Sequence, residues 1–359
     1  MRGAVLRQTG DEGLDVVDDL EIVDPGPGQV KIKIEATGVC HSDLSGMNGT
    51  IPQPAPAVLG HEGAGTILEV GEGVTSVAVG DHVIIAWSPP CGTCVNCVDR
   101  KSPHLCAAFM GGMGDTKYTE DGNPLFGFAG AGTWAEEMIM PEQGVVKIDD
   151  DVPFNVASLI GCAVMTGVGA VINTAKVEPG SSVVVFGCGG VGISVIQGAR
   201  IAGAAEIVAV DLVDEKLETA KQFGATHSVK PEDLAALQPE IGHGDGFDYA
   251  FEAIGSSVTM RAAYDAARRG GTAVIVGVGK MDDMVSFSAF ELFYGDKTLR
   301  GSLYGSSNVR TFMPELLSLW KADKLDLESM ISRRIALDEV NDAFRALQAG
   351  EVIRSVIDF

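Results

Sequence analysis

Residues 182–192 read Ser-Val-Val-Val-Phe-Gly-Cys-Gly-Gly-Val-Gly, a short β-branched run that leads into a glycine-rich loop. The run predicts a buried strand, and the residues after it predict a helix to about Ala202. Gly187 suits a tight turn, and Gly189 lets the backbone approach a pyrophosphate at the helix N-terminus. Gly192 lets the helix pack closely on the strand. The stretch therefore predicts a dinucleotide-binding loop of an α/β fold.

Asp211 indicates which dinucleotide this loop takes. It follows Gly192 by nineteen residues and ends the next predicted strand, 206–211. A carboxylate at this point accepts hydrogen bonds from the ribose hydroxyls, and it repels a 2′-phosphate. We therefore predict NAD rather than NADP, and Cys188 is predicted to be a small filler residue. The predicted cofactor contacts here are Gly187, Gly189, Gly190, Gly192 and Asp211.

Strands and helices alternate through the second half of the chain. From about Val152, β-branched runs are followed by helical stretches, and this rhythm predicts a doubly wound parallel sheet of the Rossmann type. Further strands are predicted at 248–251, 272–276 and 299–303. Helices are predicted at 314–322 and 337–349, before a short strand at 354–357.

The first 150 residues predict a β-rich region instead. Residues 29–34 alternate as a half-buried strand, and similar runs follow at 64–70 and 82–86. Proline-rich breakers at 25–28 and 52–56 separate these runs. This region also carries most of the candidate metal ligands.

Four cysteines stand within sixteen residues, at Cys91, Cys94, Cys97 and Cys106. Thiolates three residues apart can point at one centre, and a fourth completes the tetrahedron that zinc prefers. Close cysteines in even number are also compatible with disulfides, but the N-terminal sequence Met-Arg-Gly-Ala-Val-Leu lacks the features of a secretory signal. We therefore predict a structural zinc site.

A second candidate metal site combines residues that are distant in sequence, Cys40, His61 and Cys162. Two thiolates and one imidazole leave a fourth zinc position open for water or substrate, as catalytic zinc requires. Each residue alone is more often a buried core residue. Their combination with a dinucleotide loop favours a catalytic centre.

Length and charge limit the remaining possibilities. A chain of 359 residues with 46% hydrophobic residues is long enough for two domains. Its formal net charge of −23 repels nucleic acid and anionic lipid surfaces, so neither is expected as a partner. No apolar stretch is expected to reach the length of a membrane span. We expect a cytoplasmic protein that acts on a small molecule.

The whole chain resembles the zinc-dependent medium-chain alcohol dehydrogenases. This resemblance implies a β-rich GroES-like catalytic domain over 1–160 and 304–359 and a Rossmann NAD-binding domain over 161–303. It implies two zinc ions per chain, a homodimer with a tetramer as the alternative, and hydride transfer between NAD and an aliphatic or aromatic alcohol that gives an aldehyde. The motifs that carry the resemblance are 38–43, 60–65, 91–106, 161–167 and the glycine loop with Asp211.

The resemblance implies roles for residues around the catalytic zinc. The two cysteines and the histidine of the second site would hold the ion, and Glu62 would lie just behind it. Asp43 would orient the imidazole of His61. The hydroxyl of Ser42 would take the proton of the alcohol.

The resemblance also implies contacts with the cofactor and the substrate. His41 and Arg354 would meet the pyrophosphate, Lys216 would stand at the ribose, and Thr166 and Val191 would press on the nicotinamide. Two of the residues at the substrate are tryptophans, which indicates a substrate pocket with aromatic walls. The alternative for each tryptophan is ordinary packing in the protein core. The residues that fall at the substrate pocket are Trp87, Trp134, Leu303 and Val278, and Val278 is also assigned to the cofactor.

The chain departs from the family pattern at three places. Cys97 and Cys106 are separated by one residue more than is usual. Ser45 stands where several relatives carry a histidine at the end of a proton relay, and a serine cannot act as a base near neutral pH. The segment between Cys106 and Trp134 is long, as in dimeric relatives.

Three alternative functions stay open at this point. The chain also resembles bacterial formaldehyde dehydrogenases that act on a thiol adduct, including mycothiol-dependent ones, especially at 161–165 and Asn173. It is also similar to nicotinoprotein alcohol dehydrogenases, in which NAD does not leave the enzyme. A non-catalytic family member with structural zinc is the third alternative, and the intact catalytic ligands with Ser42 argue against it.

Overall fold

The structure is a computed structural model that describes residues 1–108, 114–241 and 244–359. The chain forms two compact units. Unit 1 comprises Met1–Cys162, Asn308–Trp320 and Leu327–Phe359, and unit 2 comprises Ala163–Ser307 and Lys321–Asp326. The last of these segments lies within the stretch predicted for the catalytic domain.

The elements of the described residues follow in chain order. The strands are β1 Gly3–Leu6, β2 Asp15–Val17, β3 Glu21–Ile22, β4 Gln29–Val39, β5 Ala57–Val58, β6 Gly63–Val70, β7 His82–Ile85, β8 Thr116–Glu120, β9 Asn123–Gly127, β10 Glu137–Pro141, β11 Val145–Lys147, β12 Ser182–Phe186, β13 Glu206–Val210, β14 His227–Val229, β15 Phe247–Glu252, β16 Ala267–Ile275, β17 Thr298–Gly301, β18 Ile331–Ile335 and β19 Arg354–Asp358. The helices are α1 His41–Met47, α2 Val95–Val98, α3 Phe154–Ala175, α4 Gly190–Ala202, α5 Asp214–Gln222, α6 Leu234–Ile241, α7 Ser257–Ala266, α8 Ala289–Gly295, α9 Val309–Lys321 and α10 Val340–Ala349.

Unit 2 is built on a six-stranded parallel sheet in the order β14-β13-β12-β15-β16-β17. The central strand β12 is buried along its whole length, as its β-branched residues require. Helix α4 follows β12 and ends at Ala202, which is the predicted end. The doubly wound Rossmann sheet of the predicted α/β fold is confirmed.

Unit 1 contains two sheets. One has the order β2-β1-β5-β9-β8-β3, and the other has the order β11-β7-β6-β4-β19-β18 with β10 also paired to β4. The C-terminal strand β19 pairs antiparallel with the end of β4, where Ser355 faces Val39. This pairing places Arg354 beside the residues that lead into Cys40.

Helix α9 begins at Val309, five residues before the predicted start at Pro314. The helix buries Val309, Phe312 and Met313, so its apolar face starts ahead of the proline. Pro314 therefore lies inside the helix, where it removes one backbone hydrogen bond.

Among the described residues, helix α3 is long and apolar enough to cross a membrane by length and composition alone. This differs from the expectation that no stretch would reach that length. In its most apolar window 83% of the residues are buried inside the protein. A core helix passes the same test, and the interrupting glycines pack against neighbouring backbone, as at Gly161 beside the Ile85 carbonyl.

Candidate active site and metal centres

The four clustered cysteines have the spacing of a tetrahedral metal site. The Sγ atom of Cys97 lies 4.0 Å from Cys91 Sγ and 3.6 Å from Cys94 Sγ, and Cys94 and Cys106 are 3.9 Å apart. Four sulfurs at about 2.3 Å from one zinc ion are separated by about 3.8 Å. All four cysteines are free, so no disulfide competes. The side chains fit a structural zinc ion.

The backbone around these cysteines is arranged toward the sulfurs. Cys94 donates its backbone N–H to Cys91 Sγ at 3.3 Å, and Cys91 donates to Cys106 Sγ at 3.3 Å. A short 3₁₀ turn over Pro103–Leu105 precedes Cys106. Despite the additional residue between Cys97 and Cys106, the Sγ atom of Cys106 lies within 4.8 Å of the other three sulfurs.

The second predicted metal site also comes together, within unit 1. The ligand atoms of Cys40, His61, Glu62 and Cys162 all lie within 4.8 Å of one another, and all four residues are buried. Cys40 follows β4, His61 and Glu62 precede β6, and Cys162 lies on α3. We call this group the catalytic metal site.

His61 is oriented as a metal ligand. Its Nδ1 donates to Asp43 Oδ1 at 2.9 Å, so the lone pair of Nε2 is directed into the site. Nε2 is buried and has no hydrogen-bond partner among the described residues. Asp43 is itself buried and accepts from the backbone N–H groups of Gly60 and Cys40 at 3.1 and 3.0 Å. An orphaned imidazole nitrogen beside two thiols fits zinc.

The two thiols of the catalytic metal site differ in pKa: the hydrogen bond with Cys40 and burial raise the pKa of Cys162 well above its usual range. A hydrogen bond from the Cys162 thiol and the positive charge of Arg354 outweigh burial and hold the pKa of the Cys40 thiol well below its usual range. Thiolates are the form that binds metal. Ser42 Oγ lies 3.7 Å from Cys40 Sγ, so a hydroxyl stands next to the ligand set.

Arg354 and Glu62 form a buried pair behind the ligands. Arg354 Nη2 lies 3.4 Å from Glu62 Oε1, and Nη1 donates to the Val39 carbonyl at 2.9 Å. Burial raises the pKa of Glu62 to about 8, and the charge of Arg354 opposes that rise. Arg354, predicted at the pyrophosphate, is only 2% exposed and lies beside Glu62.

Aromatic rings surround the imidazole of His61. Phe128 contacts it edge-on at 5.4 Å between ring centroids, and Trp87 at 6.5 Å. Trp87 and Ala129 also line a cavity of about 160 Å³ in unit 1, with Lys117 on its wall. Phe128 was not predicted as a site residue, since a phenylalanine between glycine and alanine carries no distinctive signal.

Trp134, the second tryptophan predicted at the substrate, lies in a hydrophobic core and not beside His61 as Trp87 does. It is fully buried in a hydrophobic core, where it packs on Phe344 with ring centroids 5.3 Å apart. Its Nε1 donates to the Gly38 carbonyl at 3.1 Å. The core-packing alternative therefore describes Trp134, and we do not assign it to the substrate.

The glycine loop of unit 2 has the geometry that a dinucleotide needs. Gly187 has a φ of 95°, which only glycine adopts readily. A Cβ on Gly192 would lie 1.7 Å from the Gly187 carbonyl oxygen, whereas a Cβ on Gly189 would meet nothing within 4 Å. The space over Gly189 is the cradle that a pyrophosphate fills at the start of α4.

Asp211 stands beside this loop and holds it. Its Oδ2 accepts from the Cys188 backbone N–H at 2.8 Å, and its Oδ1 accepts from Val213 N–H at 3.1 Å. Burial raises the pKa of the Cys188 thiol, which suits an inert filler. Lys216 is half-buried in the first turn of α5.

The remaining predicted contacts lie in their own units. In unit 1, His41 is exposed at the start of α1. In unit 2, Thr166 is buried on α3 and Val191 is half-buried on α4. Val278 and Leu303 expose 51% and 49% of their surface. Exposed apolar residues of this kind are available to a ligand.

Sequence profiles of two families match the chain. The family described as alcohol dehydrogenase GroES-like domain matches residues 26–150, and the family described as zinc-binding dehydrogenase matches residues 190–320. The S-(hydroxymethyl)glutathione dehydrogenase of Paracoccus denitrificans is 38% identical over 374 residues, which cover 99% of each chain. A protein of the same description from Escherichia coli is 40% identical over 371 residues and covers 100% of this chain and 99% of its own.

A solved structure of an alcohol dehydrogenase is also similar to this chain. The crystal structure of benzyl alcohol dehydrogenase from Acinetobacter calcoaceticus matches with a TM-score of 0.92 and 34% identity, over 100% of this chain and 99% of its own. Fold and site together define a metal- and dinucleotide-dependent oxidoreductase. The chain belongs to the zinc-dependent medium-chain alcohol dehydrogenase family. It is a zinc-dependent alcohol dehydrogenase of a family that binds NAD(P), and it has two metal sites.

Proposed function

We propose that this protein oxidises a primary alcohol to its aldehyde with NAD, with Cys40, His61 and Cys162 as ligands of the catalytic zinc. The observation that carries the proposal is the convergence of two thiols and an orphaned imidazole nitrogen in one buried group. Zinc bound there supplies a Lewis acid that lowers the pKa of a hydroxyl. Cys91, Cys94, Cys97 and Cys106 hold the second, structural zinc.

The residues of the chain have separate roles in this reaction. Asp43 fixes the imidazole, and Ser42 accepts the proton of the alcohol because its hydroxyl stands beside Cys40. Glu62 lies within reach of the same centre, and its Oε1 is 3.4 Å from Arg354 Nη2. Ser45 does not act as a base, so the proton leaves Ser42 toward a cofactor hydroxyl or water.

The shape of unit 1 favours a substrate with an apolar or aromatic group. Trp87 contacts His61 and also lines the neighbouring cavity, which lets one ring border both the metal ligands and the substrate. The similar solved structure from Acinetobacter calcoaceticus is that of a benzyl alcohol dehydrogenase. We propose that Trp87 and Leu303 contact the carbon skeleton of the alcohol.

A thiol adduct of formaldehyde is the second candidate substrate. Two of the relatives are described as S-(hydroxymethyl)glutathione dehydrogenases. In unit 1, Lys117 lines the cavity that Trp87 also lines, and its Nζ donates to the Ile139 carbonyl at 3.2 Å. The ammonium group of Lys117 attracts a carboxylate of such an adduct, and Asp115 on the same cavity wall opposes that attraction.

The cofactor contacts proposed in unit 2 are the glycine loop, Asp211, Lys216, Thr166, Val191 and Val278. The carboxylate of Asp211 lies at the end of β13, where it would repel a 2′-phosphate, so we propose NAD in preference to NADP. We propose that His41 and Arg354 of unit 1 act on the pyrophosphate.

We also propose a cytoplasmic homodimer. Strand β17 is an edge strand of its sheet with four exposed residues, and an exposed edge is a template for a second chain. The preceding segment exposes large apolar side chains, including Met281 at 83%, Phe290 at 69% and Phe293 at 81%. A monomer in sedimentation equilibrium at micromolar concentration would contradict this proposal, and Leu299→Lys on β17 should weaken the dimer.

A zinc count followed by a substrate panel tests the proposed function. Two zinc ions per chain are expected, and NADH formation is measured with benzyl alcohol, a short aliphatic alcohol, and formaldehyde with and without glutathione or mycothiol. Activity on free alcohols supports the main proposal. Activity that requires formaldehyde together with a thiol supports the second candidate. If none of these substrates yields NADH, both candidate functions are contradicted.

A further inference from the structure

Glu252 is a fully buried carboxylate with no role in the proposed reaction. It ends β15, and the sheet register pairs it with Phe186, the last residue of β12 before the glycine loop. The next residue, Ala253, donates its N–H to the Phe186 carbonyl at 2.9 Å. Glu252 therefore stands at the carboxyl edge of the sheet, directly beside Gly187.

The carboxylate organises the loop that leaves β15. Its Oε1 accepts three hydrogen bonds, from Ile254 N–H at 3.0 Å, from Gly255 N–H at 2.7 Å and from Thr259 Oγ1 at 2.7 Å. Bonds to a charged acceptor are stronger than neutral ones, and burial strengthens them further. One oxygen atom thus fixes the turn 253–256 and its connection to α7.

The same residue ties this turn to the loop that leaves β16. The Glu252 carbonyl accepts from Val276 N–H at 2.8 Å and from Gly277 N–H at 3.0 Å. A Cβ on Gly277 would lie 2.2 Å from Gly255 N and 2.7 Å from Glu252 Oε2, so the two loops are in direct contact. Gly255, with a φ of 95°, leaves no room for a side chain against the Val278 carbonyl.

These two loops present apolar side chains next to the glycine loop. Ile254 exposes 53% and Val278 exposes 51% of its surface. A Cβ on Gly187 would lie 2.6 Å from Ile254 Cγ1, which shows how near the turn is to the glycine loop. In open sheets of this type the dinucleotide binds at the carboxyl ends of the strands. Exposed apolar groups at that edge suit the flat faces of its rings.

We propose that Glu252 is a positioning residue for the dinucleotide. Its buried carboxylate fixes the turn 253–256 beside the glycine loop. This turn contacts the loop 277–279, so both Ile254 and Val278 are in place before the cofactor arrives. Ligand affinity rises when the site is ordered beforehand, since less conformational entropy is lost on binding. Glu252 touches neither cofactor nor substrate and acts only through these loops.

The test compares both ends of strand β15. Glu252→Ala removes the acceptor of the Ile254 and Gly255 N–H groups and leaves Thr259 Oγ1 only the Ser256 carbonyl at 3.1 Å. Glu252→Gln keeps an oxygen that can accept the same bonds. Asp248, near the amino end of the strand, supplies the matched control. Asp248 also accepts a hydrogen bond from the Ser182 backbone N–H at 2.8 Å, and it forms a salt bridge with Arg268 Nε at 2.7 Å. It is remote from the carboxyl edge of the sheet.

The experiment is a fluorescence titration of each zinc-loaded protein with NADH, with thermal unfolding and zinc content measured on the same samples. Glu252→Ala should raise the Kd for NADH by about tenfold or more, and Glu252→Gln should stay within roughly threefold of the wild type. Asp248→Ala should lower the melting temperature and leave the Kd unchanged. The KM for the alcohol at saturating NAD should not change in any variant.

The possible outcomes separate this inference from the proposed function. A folded Glu252→Ala protein with two zinc ions and a wild-type Kd overturns the inference. Equal weakening by Asp248→Ala also overturns it, because the effect would then follow from general stability. If Glu252→Ala does not fold, Glu252→Gln and Thr259→Val are measured, and an unchanged Kd in Thr259→Val counts against the inference. A wild-type protein that does not bind NADH contradicts the assigned cofactor instead.

Discussion

Asp43 accepts a hydrogen bond from Nδ1 of His61 at 2.9 Å, and this contact decides which imidazole nitrogen faces the two thiols. Asp43 is fully buried and accepts two backbone N–H groups as well, so its position is fixed from three sides. The catalytic metal site is therefore prepared by the fold of unit 1.

Asp43→Asn should weaken zinc binding at the catalytic metal site by about 10–100-fold. The asparagine can direct one oxygen at His61, but its NH₂ group then faces the Cys40 N–H, a contact between two donors. Zinc per chain after dialysis against a graded chelator measures the effect. A variant that holds both ions as tightly as the wild type would show that Asp43 does not orient the imidazole.

Cys106→Ser should remove the structural zinc and leave the catalytic one. The sulfur of Cys106 lies 3.9 Å from Cys94 Sγ, and an alcohol is a much weaker zinc ligand than a thiolate. We expect one zinc ion per chain and a melting temperature lower by roughly 5–10 °C, which corresponds to about 2–4 kcal/mol. Cys188→Ser is the control and should keep two ions. Equal zinc loss in both variants would refute the assignment.

Two glycine substitutions should separate fold from cofactor binding. Gly192→Ala places a Cβ 1.7 Å from a backbone oxygen and should destabilise unit 2 by about 1–3 kcal/mol or more. Gly189→Ala meets nothing within 4 Å and should leave the melting temperature unchanged. The added methyl group nevertheless occupies the cradle, so NADH binding should weaken strongly. Normal NADH affinity in Gly189→Ala would argue against a pyrophosphate at this point.

Asp248 should contribute stability at neutral pH and lose that contribution in acid. Burial raises the pKa of this carboxyl, but the hydrogen bonds from Ser182 and Arg268 lower it more, and the net pKa lies below its ordinary value. The contribution is therefore complete above the unfolded pKa of about 3.9 and disappears as the pH falls through the lower folded pKa. Asp248→Asn should cost about 1–2 kcal/mol in urea unfolding from pH 8 to pH 5. A cost that shrinks before pH 5 would contradict this sign.

Much of unit 2 was predictable because its signals are local. The run at Ser182–Phe186 and the glycines after it specify a buried strand, a tight turn and a helix start within a few residues. Five of the six strands were predicted from such local runs, whereas the three-residue edge strand β14 and the order of the strands were not. The four clustered cysteines were equally accessible, since their spacing alone indicates one centre.

Features that depend on tertiary packing were harder to predict. Trp134 has the same side chain as Trp87, and only the fold shows that it packs on Phe344 while Trp87 reaches His61. The start of α9 at Val309 depends on a buried face that the sequence near Pro314 does not reveal. Glu252 carries no motif at all, and its role becomes visible only when two loops distant in sequence meet beside it.

Zinc content, NADH binding and turnover of Cys162→Ala, measured on one preparation, test the central claim most directly. Removal of one of two thiols should release the catalytic ion, so one zinc per chain should remain. The Kd for NADH should stay near that of the wild type because the glycine loop is untouched, and alcohol oxidation should fall to the assay background. A variant with near-normal turnover would contradict the claim that Cys40, His61 and Cys162 hold the catalytic metal.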